Sequence, residues 1–320
     1  MTRLNYSLTQ LEYVLALLKH GHFAKAAEAC SVTQPTLSMQ IQKLEDQLGV
    51  VLFDRSKKPI LVTEKGQKII AQMQAILFEA KKLEGIVQNA ESNSLTGSLT
   101  LGVIPTIAPY LLPRLLPVLE KKQPGISLRI LELQTHRIVE ALQNDEIDAG
   151  LLATPLKLPQ IHEYPLYYEP FSVLCRKTHP LSRFKKINYR DLTQDDLWLL
   201  EEGHCLRTQI LDVCQHKKNK TASRRFEFES GSLETLKHLV QSYGGYTLLP
   251  ALACGSLGSQ TLLLTFERPI PAREIGLVYR REYYKAELIE ALAGAILGCL
   301  PEGLQKLRPK DLRIELPTPS

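Results

Sequence analysis

The amino-acid sequence predicts an α/β protein with an all-α, winged N-terminus: a small helical domain joined by a long helix to a larger region of alternating strands and helices. Three observations lead to this fold class. Apolar residues recur every three or four positions through the first third of the chain, and two short β-prone runs then flank a basic turn. Beyond residue 97, strand-like and helix-like segments alternate. A chain of 320 residues can hold two or three domains with cores of their own.

The composition is that of an ordinary soluble protein, with 44% hydrophobic and 23% charged residues. A net charge of +5 and a pI near 8.8 suit a nucleic-acid partner. No apolar run approaches the ~20 residues of a membrane span, and the residues after Met1 lack the apolar core of a signal peptide. We therefore expect a cytoplasmic protein without membrane contact, in which any disulfide would be catalytic or sensory.

The first third of the chain has the pattern of a helix-turn-helix. Two helices and a tight turn lead to Thr33, a good N-cap, and Pro35, which suits a first helical turn. The third helix has a narrow apolar stripe at i, i+4, i+7 and i+11, formed by Leu37, Ile41, Leu44 and Leu48. Its outer face is polar, as in a helix that enters the major groove of DNA. A small helical bundle with an amphipathic third helix would show the same periodicity.

A basic hairpin favours the DNA-binding alternative. Apolar runs at residues 50–53 and 60–62 flank a turn that carries Arg55, Lys57 and Lys58. The cations of such a wing would meet phosphates, which give affinity and register but no sequence information. We therefore predict a winged helix-turn-helix DNA-binding domain over residues 8–64. The expected DNA-binding residues are Gln34, Pro35, Thr36, Ser38, Gln42, Lys43 and Arg55.

A long helix should follow, capped by Thr63 and running to about residue 92. Its apolar positions alternate in spacing between four and three residues and form a seam of Ile69, Met73, Ile76, Ala80, Leu83 and Val87. A heptad seam is typical of helices that pair between chains, whereas a core-facing helix would show a wider stripe. We therefore predict a linker and dimerisation helix with a hinge over residues 65–96. Two winged domains on such a pair would read a two-fold DNA site.

The remaining two-thirds alternates between strands and helices, which implies parallel sheets flanked by helices. The predicted elements include strands at residues 197–200 and 226–229 and a helix at residues 283–300, and the last sixteen or so residues should be frayed. Ligands of such sheets bind beyond the carboxyl ends of strands, at helix N-termini. Three junctions have suitable chemistry there, at residues 104–106, 203–205 and 231–234.

One of these junctions begins a helix with a cysteine near each end, Cys205 and Cys214. Nine residues of helix separate the sulfurs by ~13.5 Å along the axis and put them on opposite faces, whereas a disulfide needs Cα atoms within about 7 Å. Oxidation would therefore require the helix to unwind. The helix dipole, His204 and Arg207 should lower the pKa of Cys205, while nearby glutamates should raise it, so the net direction stays open.

Other interpretations of the cysteines are less well supported. Cys205 and Cys214 would be ordinary packing residues on two helix faces if they had no redox role. A zinc site of His204, Cys205, Cys214 and His216 would lack the Cys-x2-Cys and His-x3-His spacings. Since phosphate-loop, GxSxG and HExxH patterns are also missing, we expect neither a metal, a cofactor nor an enzyme. We expect the other four cysteines to be small core residues: Cys30, Cys175, Cys254 and Cys299.

The order of these segments resembles the LysR-type transcriptional regulators along nearly the whole chain. The runs typical of that family are Phe23-Ala24-Lys25-Ala26-Ala27, Thr33-Gln34-Pro35-Thr36-Leu37-Ser38 and Ile41-Gln42-Lys43-Leu44-Glu45. Gly203-His204-Cys205-Leu206-Arg207, followed by Cys214, is typical of the peroxide-sensing members.

The resemblance implies that Cys205 is the peroxide-reactive cysteine and Cys214 its resolving partner. It implies a peroxide pocket with Thr106 and His204, and Arg273 as the basic neighbour of the sulfur. It also implies a periplasmic-binding-protein-like regulatory domain with crossovers near Tyr168 and Arg268. Its two α/β subdomains would span residues 97–168 with 268–305, and residues 169–267, the second carrying the redox cysteines.

The resemblance further implies a homodimer or homotetramer on double-stranded promoter DNA, an interaction with RNA polymerase, and activation of antioxidant genes by hydrogen peroxide. Two positions depart from the pattern. Thr208 stands where an acid is usual, which should favour the thiolate, and Gln42 replaces a common arginine of the recognition helix.

Two other functions remain open at this point. A LysR-type regulator could instead bind a small anionic effector between its subdomains, although such a protein has no need of the Cys205–Cys214 pair. A solute-binding or enzyme domain with a dimerisation arm is a third possibility, which the basic wing and the helix at residues 33–48 disfavour.

Overall fold

The structure, a computed structural model, describes residues 5–70, 72–74, 76–77, 80, 95–192, 196–214, 228, 230–255, 257–280 and 286–317. The chain divides into two compact units, Met1–Glu91 and Ser92–Ser320. Within the described ranges, no helix is both long enough and apolar enough to cross a membrane.

The N-terminal unit is a winged helix-turn-helix, as the sequence predicts. Its elements are α1 (Leu8–His20), α2 (Phe23–Ala29), α3 (Gln34–Leu48), and the antiparallel strands β1 (Phe53–Asp54) and β2 (Leu61–Val62), with α4 beginning at residue 64. Thr33 caps α3 by accepting a hydrogen bond from the backbone N–H of Thr36 at 3.4 Å. Gly49 ends the helix with φ +67°, a left-handed conformation that favours glycine.

The first turns of α4 differ from the predicted seam. Met73 is buried against the core of its own unit, together with Ile70 and Leu77. The apolar stripe is therefore wider than a pairing seam, and Met73 is not free to contact a second chain. Ile69 and Ile76 are only partly buried and line an open apolar hollow beside α1 and α3. Among the other predicted seam residues, Leu83 and Val87 lie outside the described residues.

The C-terminal unit contains one mixed sheet flanked by helices. Its elements are β3 (Gly97–Val103), α5 (Ala108–Lys122), β4 (Ile126–Glu132), α6 (Thr135–Gln143), β5 (Ala149–Thr154), β6 (Ile161–Arg176), α7 (Cys205–Val213), α8 (Leu233–Ser242), β7 (Tyr246–Pro250), β8 (Thr261–Thr265), β9 (Ile270–Arg280), α9 (Ala286–Cys299), α10 (Glu302–Gln305) and β10 (Leu312–Ile314). The strand order is β4-β3-β5-β9-β6-β7, with β10 on β9 and β8 on β6.

Only part of this sheet is parallel, contrary to the expectation from alternation. β4, β3 and β5 run parallel, and β10 runs parallel to β9, but β9 and β6 are antiparallel to their other neighbours. The reason is that β6 and β9 cross between the two halves of the unit in opposite directions. β6 pairs with β9 as far as Pro170 and with β7 and β8 from Phe171 onward. Each half has its own hydrophobic core.

Three other predicted elements differ from the expectation or extend beyond the described residues. The expected strand at residues 197–200 is a single bridge from Leu197 to Tyr246, because the backbone N–H of Glu201 instead bonds to Ser230 and takes the chain away from β7. The expected strand at residues 226–229 falls almost wholly outside the described residues. The final helix is described from Ala286 onward, since residues 281–285 are also outside that range.

The expectation of a frayed C-terminal tail is wrong. Leu312–Ile314 forms β10 on the edge of β9, and Glu315 is buried, with its backbone N–H donating to Ala272 O at 2.8 Å. The alternating run around Ile314 has strand character, but the prolines on both sides of it favour a frayed tail.

Candidate functional site

Helix α7 carries the two cysteines at its ends, as predicted. Cys205 is its first residue and Cys214 is its C-cap. Both side chains are buried, at 7% and 2% exposure. Because an α-helix rises 1.5 Å per residue, the two Cα atoms lie ~13.5 Å apart along the axis, and no disulfide can form while α7 is intact.

A glycine allows the N-terminus of α7 to approach α6 closely. Gly203 has φ +91°, and a Cβ atom there would lie 2.8 Å from the side-chain oxygen of Gln134. This approach brings Cys205 within hydrogen-bonding reach of the Thr135 hydroxyl. It also explains why Cys205 packs into the core of the half that contains α6, although α7 belongs to the other half.

Burial dominates the acidity of Cys205. It raises the pKa of the thiol above the ordinary value, against the opposing effects of the Arg273 charge and the Thr135 hydrogen bond. The net shift in the pKa of Cys205, whose direction the sequence left open, is therefore upward. The resting protein therefore holds Cys205 as a thiol, and the charge of Arg273 partly opposes the effect of burial on its pKa.

Arg273 lies in a fully buried polar network. Its Nε donates to Glu169 Oε2 at 2.9 Å, and its Nη1 donates to the Thr106 hydroxyl at 2.8 Å. Arg273 and Glu169 are 0% and 1% exposed, and the other oxygen of Glu169 accepts from the backbone N–H of Leu252. The carboxylate fixes the guanidinium and partly offsets its charge, so that a cation can be held near Cys205 away from water.

His204 precedes Cys205 and is also buried. Burial lowers the pKa of its imidazole, although the nearby Glu201 opposes this. The lowered pKa favours the neutral imidazole, which can donate or accept a hydrogen bond but carries no charge. Gly231 approaches the same side chains, since a Cβ there would lie 2.9 Å from Glu201 Oε1 and 3.5 Å from His204 Nε2.

The structure thus brings the predicted site residues into one region. Thr106 and Arg273 are in direct contact, and the charge of Arg273 acts on Cys205. Sequence reasoning missed two contributors, Glu169 and Thr135. Thr135 carried a usable signal because it follows β4 at the carboxyl end of the strand, whereas Glu169 lies within a long strand and gave none.

Cys214 lies in the other hydrophobic core, where burial raises the pKa of its thiol to about 12. As long as α7 is folded, it is a poor nucleophile. Among the residues that the structure describes, no group of His, Cys, Asp and Glu could hold a metal ion, and His216 lies outside them.

The outer face of α3 carries the predicted base-reading residues. Gln34, Pro35, Gln42 and Lys43 are exposed, while Thr36 and Ser38 are partly exposed. On the wing, Lys57 and Lys58 are exposed.

Arg55 is not a free wing cation. Its Nη2 lies 2.6 Å from Glu45 Oε2, and Glu45 is 3% exposed. The other oxygen of Glu45 accepts from the backbone N–H groups of Leu52 and Phe53. Arg55 therefore fastens the wing to α3, a structural role that the sequence analysis did not foresee.

Comparison with known proteins places this geometry in a family. The model of the bacterial regulatory helix-turn-helix protein of the lysR family matches residues 8–67, and the LysR substrate binding domain matches residues 92–318. The chain belongs to the LysR family. It is thus a LysR-type DNA-binding transcription regulator, and the winged unit is its DNA-binding part.

Individual LysR-family proteins are similar over nearly the whole length. The chain is 37% identical over 292 residues to the DNA-binding transcriptional dual regulator OxyR of Escherichia coli K12, covering 91% of this chain and 94% of that one. It is 35% identical to the hydrogen peroxide-inducible genes activator of Haemophilus influenzae, covering 91% and 96%. A solved full-length OxyR of Pseudomonas aeruginosa with a Cys-to-Asp substitution aligns with a TM-score of 0.77 at 36% identity, covering 96% and 100%.

Proposed function

We propose that this LysR-family regulator senses hydrogen peroxide through Cys205 and Cys214 and thereby controls antioxidant genes in the cytoplasm. The observation that carries the proposal is the placement of Cys205, buried at the start of α7 beside the Arg273 network, with Cys214 at the far end of the same helix. The names of the similar peroxide-responsive regulators support it.

The chemistry would proceed in two steps. The Cys205 thiolate attacks one oxygen of hydrogen peroxide, the O–O bond breaks, and the hydroxide that departs takes up a proton and leaves as water. The sulfur is oxidised by two electrons to a sulfenic acid. Cys214 then attacks the Cys205 sulfur, an S–S bond forms, and the sulfenic hydroxyl leaves with a proton as a second water.

The surrounding residues have distinct roles in the first step. The Arg273 cation stabilises the thiolate and the departing hydroxide. Thr106 and neutral His204 hydrogen-bond the peroxide oxygens, and Thr106 can donate its hydroxyl proton because the bond from Arg273 occupies only an oxygen lone pair. The second step requires α7 to unwind, which converts a chemical event into a local refolding.

This refolding would act on DNA through the assembled regulator. We propose a homodimer or homotetramer that binds a two-fold promoter site through α3 and contacts RNA polymerase. The exposed residues of α3 and the wing cations Lys57 and Lys58 support the DNA-binding part of the proposal. The partly buried Ile69 and Ile76 support pairing through the linker helix.

Footprinting on a promoter fragment selected with the reduced protein tests this function. The expected result is that peroxide alters the footprint of the wild-type chain and leaves that of Cys205→Ser unchanged, while Cys175→Ser responds like wild type. A footprint that changes equally in the Cys205→Ser variant would overturn the proposal. A response only to small anions would instead favour an effector site between the subdomains, although the buried cation Arg273 is already paired with Glu169.

A further inference from the structure

The C-terminal strand is fastened to the redox helix by one buried side chain. Gln209 lies midway along α7, is 0% exposed, and donates from Nε2 to the backbone oxygen of Glu315 at 2.7 Å. Its Oε1 meets no donor among the residues that the structure describes. Among the described residues, the buried Gln209 side chain therefore makes one hydrogen bond, and that bond goes to the tail. It joins residues 106 positions apart in the chain.

The tail itself is held along its length. Leu312, Arg313 and Ile314 pair with residues 270–272 of β9, and the guanidinium of Arg313 lies 5.0 Å from the centre of the Tyr189 ring. Just before β10, Asp311 pairs with Arg268. These contacts are all to parts of the unit outside α7, so that the tail forms a fixed support against which Gln209 holds the helix.

We infer that Gln209 is a positioning residue for the disulfide-forming step, and that the strand Leu312–Ile314 with Glu315 is a clasp that holds α7 in its reduced, helical form. The inference rests on the proposed redox function. Because Cys205 and Cys214 can meet only when the helix between them unwinds, residue 209 must leave its helical position, and its bond to Glu315 must break. The clasp thus sets how readily the oxidised sulfur is resolved.

The clasp stabilises only one of the two redox forms. A contact that exists in the reduced form but not in the disulfide form shifts the equilibrium between them toward the reduced form. A tail with a merely structural role would stabilise both forms equally and leave that equilibrium unchanged. This difference separates the two roles experimentally.

The experiment measures the Cys205–Cys214 equilibrium of the full chain in thiol–disulfide buffers. A chain ending at Asp311 should favour the disulfide about tenfold, which corresponds to a reduction potential about 30 mV more negative for this two-electron couple. Gln209→Leu, which removes the donor and keeps a buried side chain, should shift the equilibrium in the same direction by about threefold, since it removes a single buried hydrogen bond. Two controls should match wild type: a chain ending at Pro317, which retains β10, and Gln305→Leu, which removes a similar side-chain bond to a backbone oxygen, that of Leu300, outside α7.

Amide exchange supplies a second readout. In the reduced form, the amides of residues 209–213 in α7 should exchange faster in the chain ending at Asp311 and in Gln209→Leu than in wild type, because the bond to Glu315 no longer holds the helix. An unchanged equilibrium in both the shortened chain and Gln209→Leu, or α7 amides that exchange as slowly in both variants as in wild type, would overturn the inference.

The disulfide is formed with diamide in these experiments, so that the inference can be judged apart from peroxide sensing. If diamide forms the disulfide and the clasp behaves as expected while peroxide does not react, the sensing proposal fails and the inference stands. If diamide cannot link Cys205 to Cys214 in either wild type or the shortened chain, the inference itself is wrong.

Discussion

Cys205 and Cys214 lie at opposite ends of one nine-residue helix and pack into two different hydrophobic cores. A bond between their sulfurs cannot leave both cores as they are, because at least one cysteine must be withdrawn from its packing site. Formation of the proposed Cys205–Cys214 disulfide would therefore couple a two-electron oxidation to a repacking of the regulatory unit. Such a coupling needs no further ligand to transmit the signal.

Replacing Cys205 and replacing Cys214 should interrupt the peroxide reaction at different steps. Cys205→Ser should lose the peroxide response and keep the fold, because the substitution changes little volume. Cys214→Ser should stop at a sulfenic acid or a mixed disulfide, because the first step is intact and the resolving thiol is gone. Trapping with a sulfenic-acid reagent, followed by mass spectrometry, distinguishes the two variants. Equal trapping in both would contradict the assigned roles.

The rate of Cys205 oxidation should rise steadily with pH. Burial raises the pKa of this thiol above its ordinary value, so near neutral pH the thiolate fraction grows about tenfold per pH unit. Stopped-flow measurement of peroxide consumption from about pH 6 to pH 8 should show this slope, provided that the first step limits the rate. A plateau below about pH 8 would show that the thiol is already ionised in the resting protein.

Removing the cation should slow the same reaction. Arg273→Met in a Glu169→Gln background avoids an unpaired buried carboxylate and removes the charge that lowers the pKa of Cys205. The pKa should rise further and the rate at a given pH should fall, by at least about tenfold if the shift reaches one unit. Glu169→Gln alone is the matched control. A double variant that reacts as fast as this control would exclude Arg273 from the first step.

The wing offers a contrast between a structural and a DNA-binding cation. Arg55→Ala should lower the free energy of unfolding of the N-terminal unit by about 1–3 kcal/mol, because it leaves the buried carboxylate of Glu45 without its cation. Thermal or urea unfolding measures this loss. Unchanged stability would mean that Glu45 is satisfied by the backbone groups of Leu52 and Phe53 alone.

Lys57→Ala and Lys58→Ala should instead leave stability unchanged and weaken DNA binding. Both lysines are exposed on the wing, and loss of one phosphate contact should weaken binding to all sequences alike and reduce the salt slope by about one. Binding measured against salt concentration tests this. An unaltered slope in both variants would remove the wing from the DNA interface.

The linker helix can be tested at two neighbouring apolar positions. Met73→Lys should destabilise the N-terminal unit because Met73 is buried in that unit's own core. Ile76→Lys, at a partly buried position, should leave the unit folded and shift the protein toward monomers that bind DNA poorly. Sedimentation separates these outcomes. If Ile76→Lys sediments like wild type, the face with Ile76 does not pair two chains.

Local patterns predicted the elements better than their arrangement. The caps at Thr33 and Thr63 and the start of α7 at Cys205 were readable because each depends on a few adjacent residues. The mixture of parallel and antiparallel strands could not be predicted from the sequence. It arises because β6 and β9 run antiparallel between the two halves of the unit.

The residues of the candidate site also differ in whether the sequence predicts them. Thr106 and Cys205 lie at strand-to-helix junctions, where topology predicts ligand chemistry. Glu169 and Gln209 act through contacts with residues about a hundred positions away, with Arg273 and Glu315 respectively. Spacing along the chain carries no signal of such contacts. The docked tail is a different case, because the run around Ile314 has strand character but the prolines on both sides of it favour a frayed end.

Peptide mapping of all cysteines after brief exposure of the full reduced chain to equimolar peroxide tests the central claim most directly. We expect a linked peptide that joins Cys205 to Cys214, together with faster amide exchange across α7. A reduced Cys205 beside an oxidised Cys30, Cys175, Cys254 or Cys299 would contradict the assignment of the sensor.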